Sequence, residues 1–297
     1  MSINYLDRKT GQYHEEIVFG DKFLKWIYET NSGSFLLESL VKRKLFSYFY
    51  GKLQDLPSSS KKIKKFVNHQ RIDMREAKQE KLESYRTFNE FFTRELKAGA
   101  RPIQSDPGIL ISPADGKILA WEKIDKDRLL QVKGSTYSLE NLLGNKELAS
   151  VYDQGTCLII RLCPSDYHRY HFPDSGIPSK PRRINGYYYS VNPLALKKVA
   201  KLYCANKREL TILKSDHFGE ILIIEVGATC VGSIIQTYSP EQHVQKGSEK
   251  GYFKFGGSTI ILLFRKNTVQ IDPDLLSNSS EGIETKIMMG ERIGCKI

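Results

Sequence analysis

A serine hydroxyl that directly follows two glycines can reach the carbonyl carbon before it, because glycine allows backbone geometries that other residues resist. Gly256-Gly257-Ser258-Thr259 is such a stretch, and it enters an apolar run, Ile260-Ile261-Leu262-Leu263-Phe264. It has the arrangement needed for a chain to cut itself at Gly257-Ser258, and it reads equally as a tight turn leading into a buried strand. A cut requires a base for the hydroxyl proton, a partner that orients the base, and donors for the developing oxyanion. Histidine suits the first role, since an ordinary imidazole is largely neutral at pH 7. A carboxylate behind the ring suits the second. Two further stretches carry such residues: Ser112-Pro113-Ala114-Asp115-Gly116-Lys117 and Asp166-Tyr167-His168-Arg169-Tyr170-His171-Phe172-Pro173. His168 and His171 would share one face of a helical turn, or point from a loop into one cleft. Taken singly, Pro-Ala-Asp115-Gly is also a β-turn sequence. The two histidines are also readable as core residues or a metal pair, although no further ligands are well placed near them. Arg169 either meets a carboxylate or phosphate or is structural.

Further stretches accompany these in a fixed order. They are Tyr85-Arg86-Thr87-Phe88-Asn89-Glu90-Phe91-Phe92-Thr93-Arg94-Glu95-Leu96, Pro102-Ile103, Val226-Gly227-Ala228-Thr229-Cys230-Val231-Gly232-Ser233-Ile234 and Lys246-Gly247-Ser248-Glu249-Lys250-Gly251. From about Tyr85 to Phe264 the chain resembles the phosphatidylserine decarboxylases, pyruvoyl-dependent enzymes that make themselves by autocleavage. The resemblance implies that Ser258 attacks the Gly257 carbonyl, with His171 as base and Asp115 as its orienter. The acyl group moves from nitrogen to oxygen, the ester eliminates to a dehydroalanine, and hydrolysis with loss of ammonia leaves a pyruvoyl group at position 258. The products are chains 1–257 and 258–297, a heterodimer of the protein's own pieces. The pyruvoyl forms a Schiff base with the amine of phosphatidylserine and takes up the electrons released with CO2, giving phosphatidylethanolamine. His168 serves the substrate, with His171 as a possible contributor. Many bacterial members carry leucine where this chain has Gly256, which points to a different subgroup.

Composition sets the surroundings. With 45 lysines and arginines against 34 aspartates and glutamates, the 297-residue chain carries a net charge of +11. That excess suggests an anionic partner, a nucleic acid or an acidic membrane face. No nucleic-acid motif accompanies it. No apolar run approaches the roughly 18 residues of a membrane span, and the first residues lack a secretory apolar region. The five cysteines are scattered, without the spacing of a zinc site or a disulfide framework, and read as reduced, mostly buried thiols.

The pattern divides near residue 84. Leu37, Val41, Leu45, Tyr48, Phe49, Leu53 and Leu56 recur at near-helical spacing, and lysine and arginine crowd the same segment. Residues 1–84 thus read as a helical, basic amphipathic region that associates with an anionic phospholipid membrane from its cytoplasmic side. The alternative is a helical hairpin packed on the core with a solvated basic face. Glu76 to Leu96 reads as helical with a bend near Ser84-Tyr85. From about Gly108, short β-branched runs (Ile109–Ile111, Cys157–Leu162, Ile221–Val226, Cys230–Ile235, Thr259–Phe264) alternate with turns. The expected fold is α+β, with a mainly β catalytic domain over 85–297, a helix over Leu194–Asn206, a polar loop around Ser277–Ser280 and a last strand around Glu284–Met289. The sequence leaves a homo-oligomer open. Competing functions are a decarboxylase of a soluble amino acid, a serine hydrolase using Asp115, His171 and Ser258 without self-cleavage, and a nucleic-acid binder.

Overall fold

The computed structural model describes residues 3–132, 135–228 and 234–297. It is mixed α and β, and mainly sheet. Its frame is a ten-stranded sheet. Twelve strands matter for the site: β1 (Asn4–Asp7), β2 (Gln12–Glu15), β3 (Gly116–Trp121), β4 (Thr156–Leu162), β5 (Arg169–His171), β6 (Gly176–Pro178), β7 (Arg182–Ile184), β8 (Arg208–Ser215), β9 (Gly219–Val226), β10 (Glu249–Phe253), β11 (Ser258–Phe264) and β12 (Glu284–Ile287). The large sheet runs β7-β8-β9-β11-β4-β3-β12-β1-β2, with β6 also on β8. Its pairings are antiparallel except for β1 on β12. A three-stranded sheet places β10 beside β5.

The strand β11 lies at the centre. Every one of its seven residues is buried, so its sequence is a continuous apolar run rather than an alternating one. Ile261 and Leu263 enter one core with Ile159, Leu222 and Ile224, while Ile260, Leu262 and Phe264 enter the other with Leu158, Ile160 and Ile223. A third, aromatic cluster gathers Ile63, Phe66, Phe88, Phe91, Phe92 and Phe255.

The cores do not respect the composition change at residue 84. The helices α1 (Asp21–Glu29), α2 (Asn31–Leu36), α3 (Lys44–Gln54) and α4 (Ile63–Gln70) dominate the N-terminal part, but β1 and β2 precede them and extend the sheet. Ile27, Tyr28, Leu37 and Val41 are buried with Val191 and Leu196, and Ile63 and Phe66 with Phe255. No helix among the described residues is long and apolar enough to cross a membrane.

Several local expectations are corrected. Glu76–Leu96 is not a bent helix. Lys78 N–H donates to the Glu95 carbonyl and Lys97 N–H to Glu76, so the segment folds back on itself. Its α-helical part is α5 (Phe88–Phe92), started by the Thr87 side chain, which accepts from Glu90 N–H at 3.1 Å, and a 3-10 turn lies at Leu82–Ser84. The Leu194–Asn206 helix is broken after Lys198 and restarts at Leu202, because Val199 is extended and Lys201 is left-handed. Ser277–Ser280 closes a helix that begins at Pro273, where proline fits the first turn. Buried Leu275 holds it, and Ser279 accepts from Ala120 N–H. The last strand is Arg292–Lys296, beyond the one expected over Glu284–Met289. Of the expected strand over Cys230–Ile235, residues 229–233 lie outside the described residues. Cys157 and Cys163 are buried, Cys204 and Cys295 are half-buried, and all four are free.

Phe255 is the ring that joins the helices to the turn before β11. Phe255→Ala should destabilise the protein by about 3–5 kcal/mol. Phe35→Ala, at a ring 76% exposed, should change stability by less than about 0.5 kcal/mol. Urea denaturation of both variants checks this contrast, and equal losses would contradict the packing described.

Candidate active site

The turn between β10 and β11 is built from Lys254, Phe255, Gly256 and Gly257. Its first two residues are tied down. Phe255 N–H donates to Asn89 Oδ1 at 3.0 Å. Asn89 Nδ2 donates in turn to Asp55 Oδ1 at 2.8 Å, and Lys254 pairs with the same carboxylate at 3.1 Å. Gly256 has φ of 140°, a conformation L side chains resist. A Cβ on Gly257 would lie 3.2 Å from Val191 Cγ2. Ser258 then begins β11 opposite Leu162 of β4, fully buried. Its Oγ has no hydrogen-bond partner among the described residues.

His168 lies against this turn. The ring is fully buried and packs on Phe92 with centroids 4.0 Å apart. Its carbonyl accepts from Phe253 N–H, and the Gly256 backbone adjoins the ring. Nδ1 donates to the Asp166 carbonyl at 2.8 Å, which leaves the lone pair of the neutral ring on Nε2. Nε2 has no well-formed partner among the described residues. Burial pushes the pKa of this ring down to about 3, against the opposing pull of the Asp166 and Gly256 backbone. His168 is therefore neutral at pH 7. Buried polar atoms without partners are scarce in folded proteins, and two of those found here, Ser258 Oγ and His168 Nε2, flank one turn.

His171 is held differently. Its ring Nδ1 donates to the Gly247 carbonyl at 2.8 Å, and Nε2 meets the Tyr167 hydroxyl at 3.3 Å. Burial lowers its pKa, opposed by the Gly247 carbonyl. Along an extended segment, residues three apart face opposite sides. The two rings accordingly engage different neighbours rather than one helical face. Asp115 is buried, and Arg101 grips both of its oxygens, with the shortest distance 2.7 Å. Met289 N–H also donates to it at 2.8 Å. No hydrogen bond joins Asp115 to His171, or Ser258 to either ring, among the described residues. The Asp115 charge still favours protonation of both rings, and His171 N–H donates to Pro113 O, two residues before Asp115. Arg169 is structural, bonded to Glu249 and the Thr93 carbonyl. No group of three metal-ligating side chains occurs among the described residues.

Two cavities meet here. One, of about 250 Å³, is largely apolar: Phe23, Ile27, Tyr28 and Val41 of the N-terminal helices line it, and it reaches Gly256 and Gly257. The other, of about 400 Å³, is polar and is lined by Arg94, Arg101, Asp115, Lys117, Asp166 and Tyr167. The sequence motifs contain Ser258, the histidines and Asp115, but they give no warning of the residues at the boundary. Glu16 lines both cavities. It pairs with Arg161 at 2.7 Å and lies 3.5 Å from Lys117. A legible signal did exist for Arg161, a charge inside the apolar run Cys157–Leu162.

Residues 88–295 match the family profile described as phosphatidylserine decarboxylase. Over 295 residues the chain is 53% identical to a phosphatidylserine decarboxylase proenzyme of Clostridium beijerinckii, covering 99% of each chain. It is also 53% identical over 294 residues to the proenzyme of Clostridium tetani, covering 99% of this chain and 98% of the relative. With that of Clostridium perfringens it shares 52% over 294 residues, covering 99% and 100%. The chain belongs to the phosphatidylserine decarboxylase family. In family terms, the profile takes in Asp115, both histidines, the Gly256-Gly257 turn and Ser258, and it begins at α5, whose rings form the wall behind His168.

The buried ring of His168 sets a pH dependence. Because the folded state holds it well below the ordinary value of 6.5, the unfolded chain takes the proton first, and stability is lost as pH falls below about 6.5. In an uncut Ser258→Ala chain, lowering the pH from 7.5 to 5.0 should cost about 2 kcal/mol through His168 alone. His168→Phe in that chain should remove this share of the loss. Urea titrations at the two pH values measure it, and an unchanged pH dependence would mean that His168 is not buried and neutral.

Proposed function

We propose that this protein is a self-processing phosphatidylserine decarboxylase, which converts phosphatidylserine to phosphatidylethanolamine and CO2. The observation that carries the reading is the placement of two buried groups without a well-formed partner among the described residues, Ser258 Oγ and His168 Nε2, on either side of a glycine turn that borders an apolar cavity. The names of the 53% identical relatives support the same substrate and a proenzyme.

In this reading Ser258 Oγ attacks the Gly257 carbonyl carbon. His171, with the Asp115 carboxylate behind it, takes the hydroxyl proton, which requires Asp115 to exchange Arg101 for the imidazole. The chain separates into 1–257 and 258–297, and Ser258 becomes a pyruvoyl group. The residues fit a group at that position: it begins a fully buried strand, and the neutral His168 ring stands beside the turn. When formed, the pyruvoyl supplies a ketone that captures the substrate amine and accepts the electron pair left by CO2. His168, neutral with the Nε2 lone pair unprotonated, takes a proton that the substrate ammonium gives up as its nitrogen joins the ketone, and delivers it to the carbon that has lost CO2.

Residues 1–84 supply the lipid-facing helices, and residues 85–297 carry the candidate catalytic side chains. The apolar cavity takes acyl carbon, and the surface outside it meets the membrane. Phe35, on α2, is 76% exposed, and Leu45 and Phe49, on α3, are 65% and 59% exposed; α3 also carries Lys44 and Lys52 and is preceded by Arg43. Apolar insertion and anionic-lipid attraction add in such an arrangement. The protein is accordingly a peripheral one on the cytoplasmic face of the membrane.

The intact mass of the purified protein under denaturing conditions tests the processing. Two chains divided at Gly257-Ser258, with a pyruvoyl end on the smaller, are expected, and Ser258→Ala should remain whole and inactive. His168→Ala should still divide, at least partly, while losing decarboxylation. Cleavage in Ser258→Ala would overturn the assignment. For the membrane, the triple variant Phe35→Ser, Leu45→Ser, Phe49→Ser should bind anionic vesicles at least about tenfold more weakly than the parent. Unchanged vesicle sedimentation would remove this face from the membrane surface.

A further inference from the structure

Glu16 sits where an anion from elsewhere would be useful. It follows β2, and its side chain is only 6% exposed. Burial alone would raise its pKa, but the charges of Arg161 and Lys117 overcome this and hold it at about 2, so it stays ionised. The two cations have a defined place relative to the cleavage turn. Thr259, next to Ser258, is opposite Arg161 across β11 and β4, and Arg161 is opposite Lys117 across β4 and β3. They form one row across three strands, beginning beside the reactive serine. The row has two positive charges: Arg161 pairs with Glu16 and Glu284, and Lys117 is held by Glu16 together with the nearby Asp166 charge. Removing Glu16 takes away the anion that the two cations share, which is costly until another arrives.

The segment that carries Glu16 is lightly attached. Strand β1 pairs with β12 over three residues, β2 is an exposed edge, and Ile17 and Phe19 are both more than a third exposed. Opening must break the Glu16 ion pairs and the edge-on packing of Phe19 on Phe66 and Phe255 at 5.1 and 6.1 Å; the exposed remainder adds little to the cost of local opening. Glu16 also borders both the apolar cavity and the polar one. A lipid substrate joins an apolar part to an anionic headgroup at just such a boundary.

We propose that Glu16 fills the seat of the substrate's anionic headgroup, that Lys117 and Arg161 are the residues that bind the headgroup oxyanion, and that residues 12–20 withdraw to admit it. This rests on the decarboxylase reading above. One anion replaces another, so the exchange keeps the buried charges balanced, and the strap protects the site when no lipid is present.

The test uses the full-length, uncut Ser258→Ala chain, which cannot form the pyruvoyl group, and glycerophosphoserine as the soluble probe. Calorimetry should show that Glu16→Gln tightens binding at least fivefold, and that adding Lys117→Met abolishes the gain. Equal or weaker binding by a folded Glu16→Gln chain overturns the proposal, as does no detectable binding by any of the chains. If Glu16→Gln does not fold, hydrogen exchange in the Ser258→Ala chain decides. Saturating glycerophosphoserine should speed exchange over residues 12–20, and unchanged or slower exchange overturns the proposal. Decarboxylation of phosphatidylserine by the unsubstituted protein is read separately. Its absence would sink the functional reading, whereas its presence without a Glu16 effect sinks only the headgroup seat.

Discussion

The insertion of Phe255 into the aromatic cluster is the interaction on which the site depends. The ring meets Phe66, Phe88 and Phe92 at centroid distances of 4.9–6.3 Å, mostly edge-on. Such pairs add specific geometry to simple burial. The ring fixes the residue immediately before Gly256, and its N–H is fixed by Asn89. Phe92, from the same cluster, also carries the His168 ring. One packed unit therefore positions both the Gly256-Gly257 turn and the His168 ring beside it. This explains why helices that look separable in composition are part of the catalytic architecture.

Around that unit the protein accepts unusual electrostatics. A row of buried charges crosses the central strands, and each member has a partner. Lys117 and Arg161 also approach the Cys163 thiol at 2.9 and 3.2 Å. Burial pushes that thiol up to about 12, although both cations act to lower it, so it remains protonated. Fully paired buried charges rigidify a site but cost desolvation. Apolar strands of this length would be cheaper without them, so their presence near the turn fits a region shaped by chemistry as well as by folding.

The sequence disclosed the candidate residues more readily than their relations. Ser258, with two glycines before it and an apolar strand after it, was legible because turn and strand are local patterns. The mainly β character after Gly108 was legible for the same reason. The partners of Asp115 and His171 were not, since Arg101, Gly247 and Tyr167 come together only through tertiary packing. The expected helix over Glu76–Leu96 failed because two backbone hydrogen bonds between its ends outcompete helical spacing. Glu16 lay beyond sequence reasoning altogether. A glutamate beside exposed residues looks solvated until the strands that supply its cations are assembled.

The position of β11 has a further consequence. A break before Ser258 would assign the central strand, together with β12, to a fragment of 40 residues (297 − 257 = 40), while its flanking strands β9 and β4 stay with the larger piece. The smaller piece would be clamped by backbone ladders on both edges and by a core on each face. Dissociation would then require dismantling the whole barrier between the two cores, so the nicked molecule would persist as one body held by its folding history. Information needed to build it would be lost with the peptide bond: separated fragments would face an assembly problem that the continuous chain solves by connectivity.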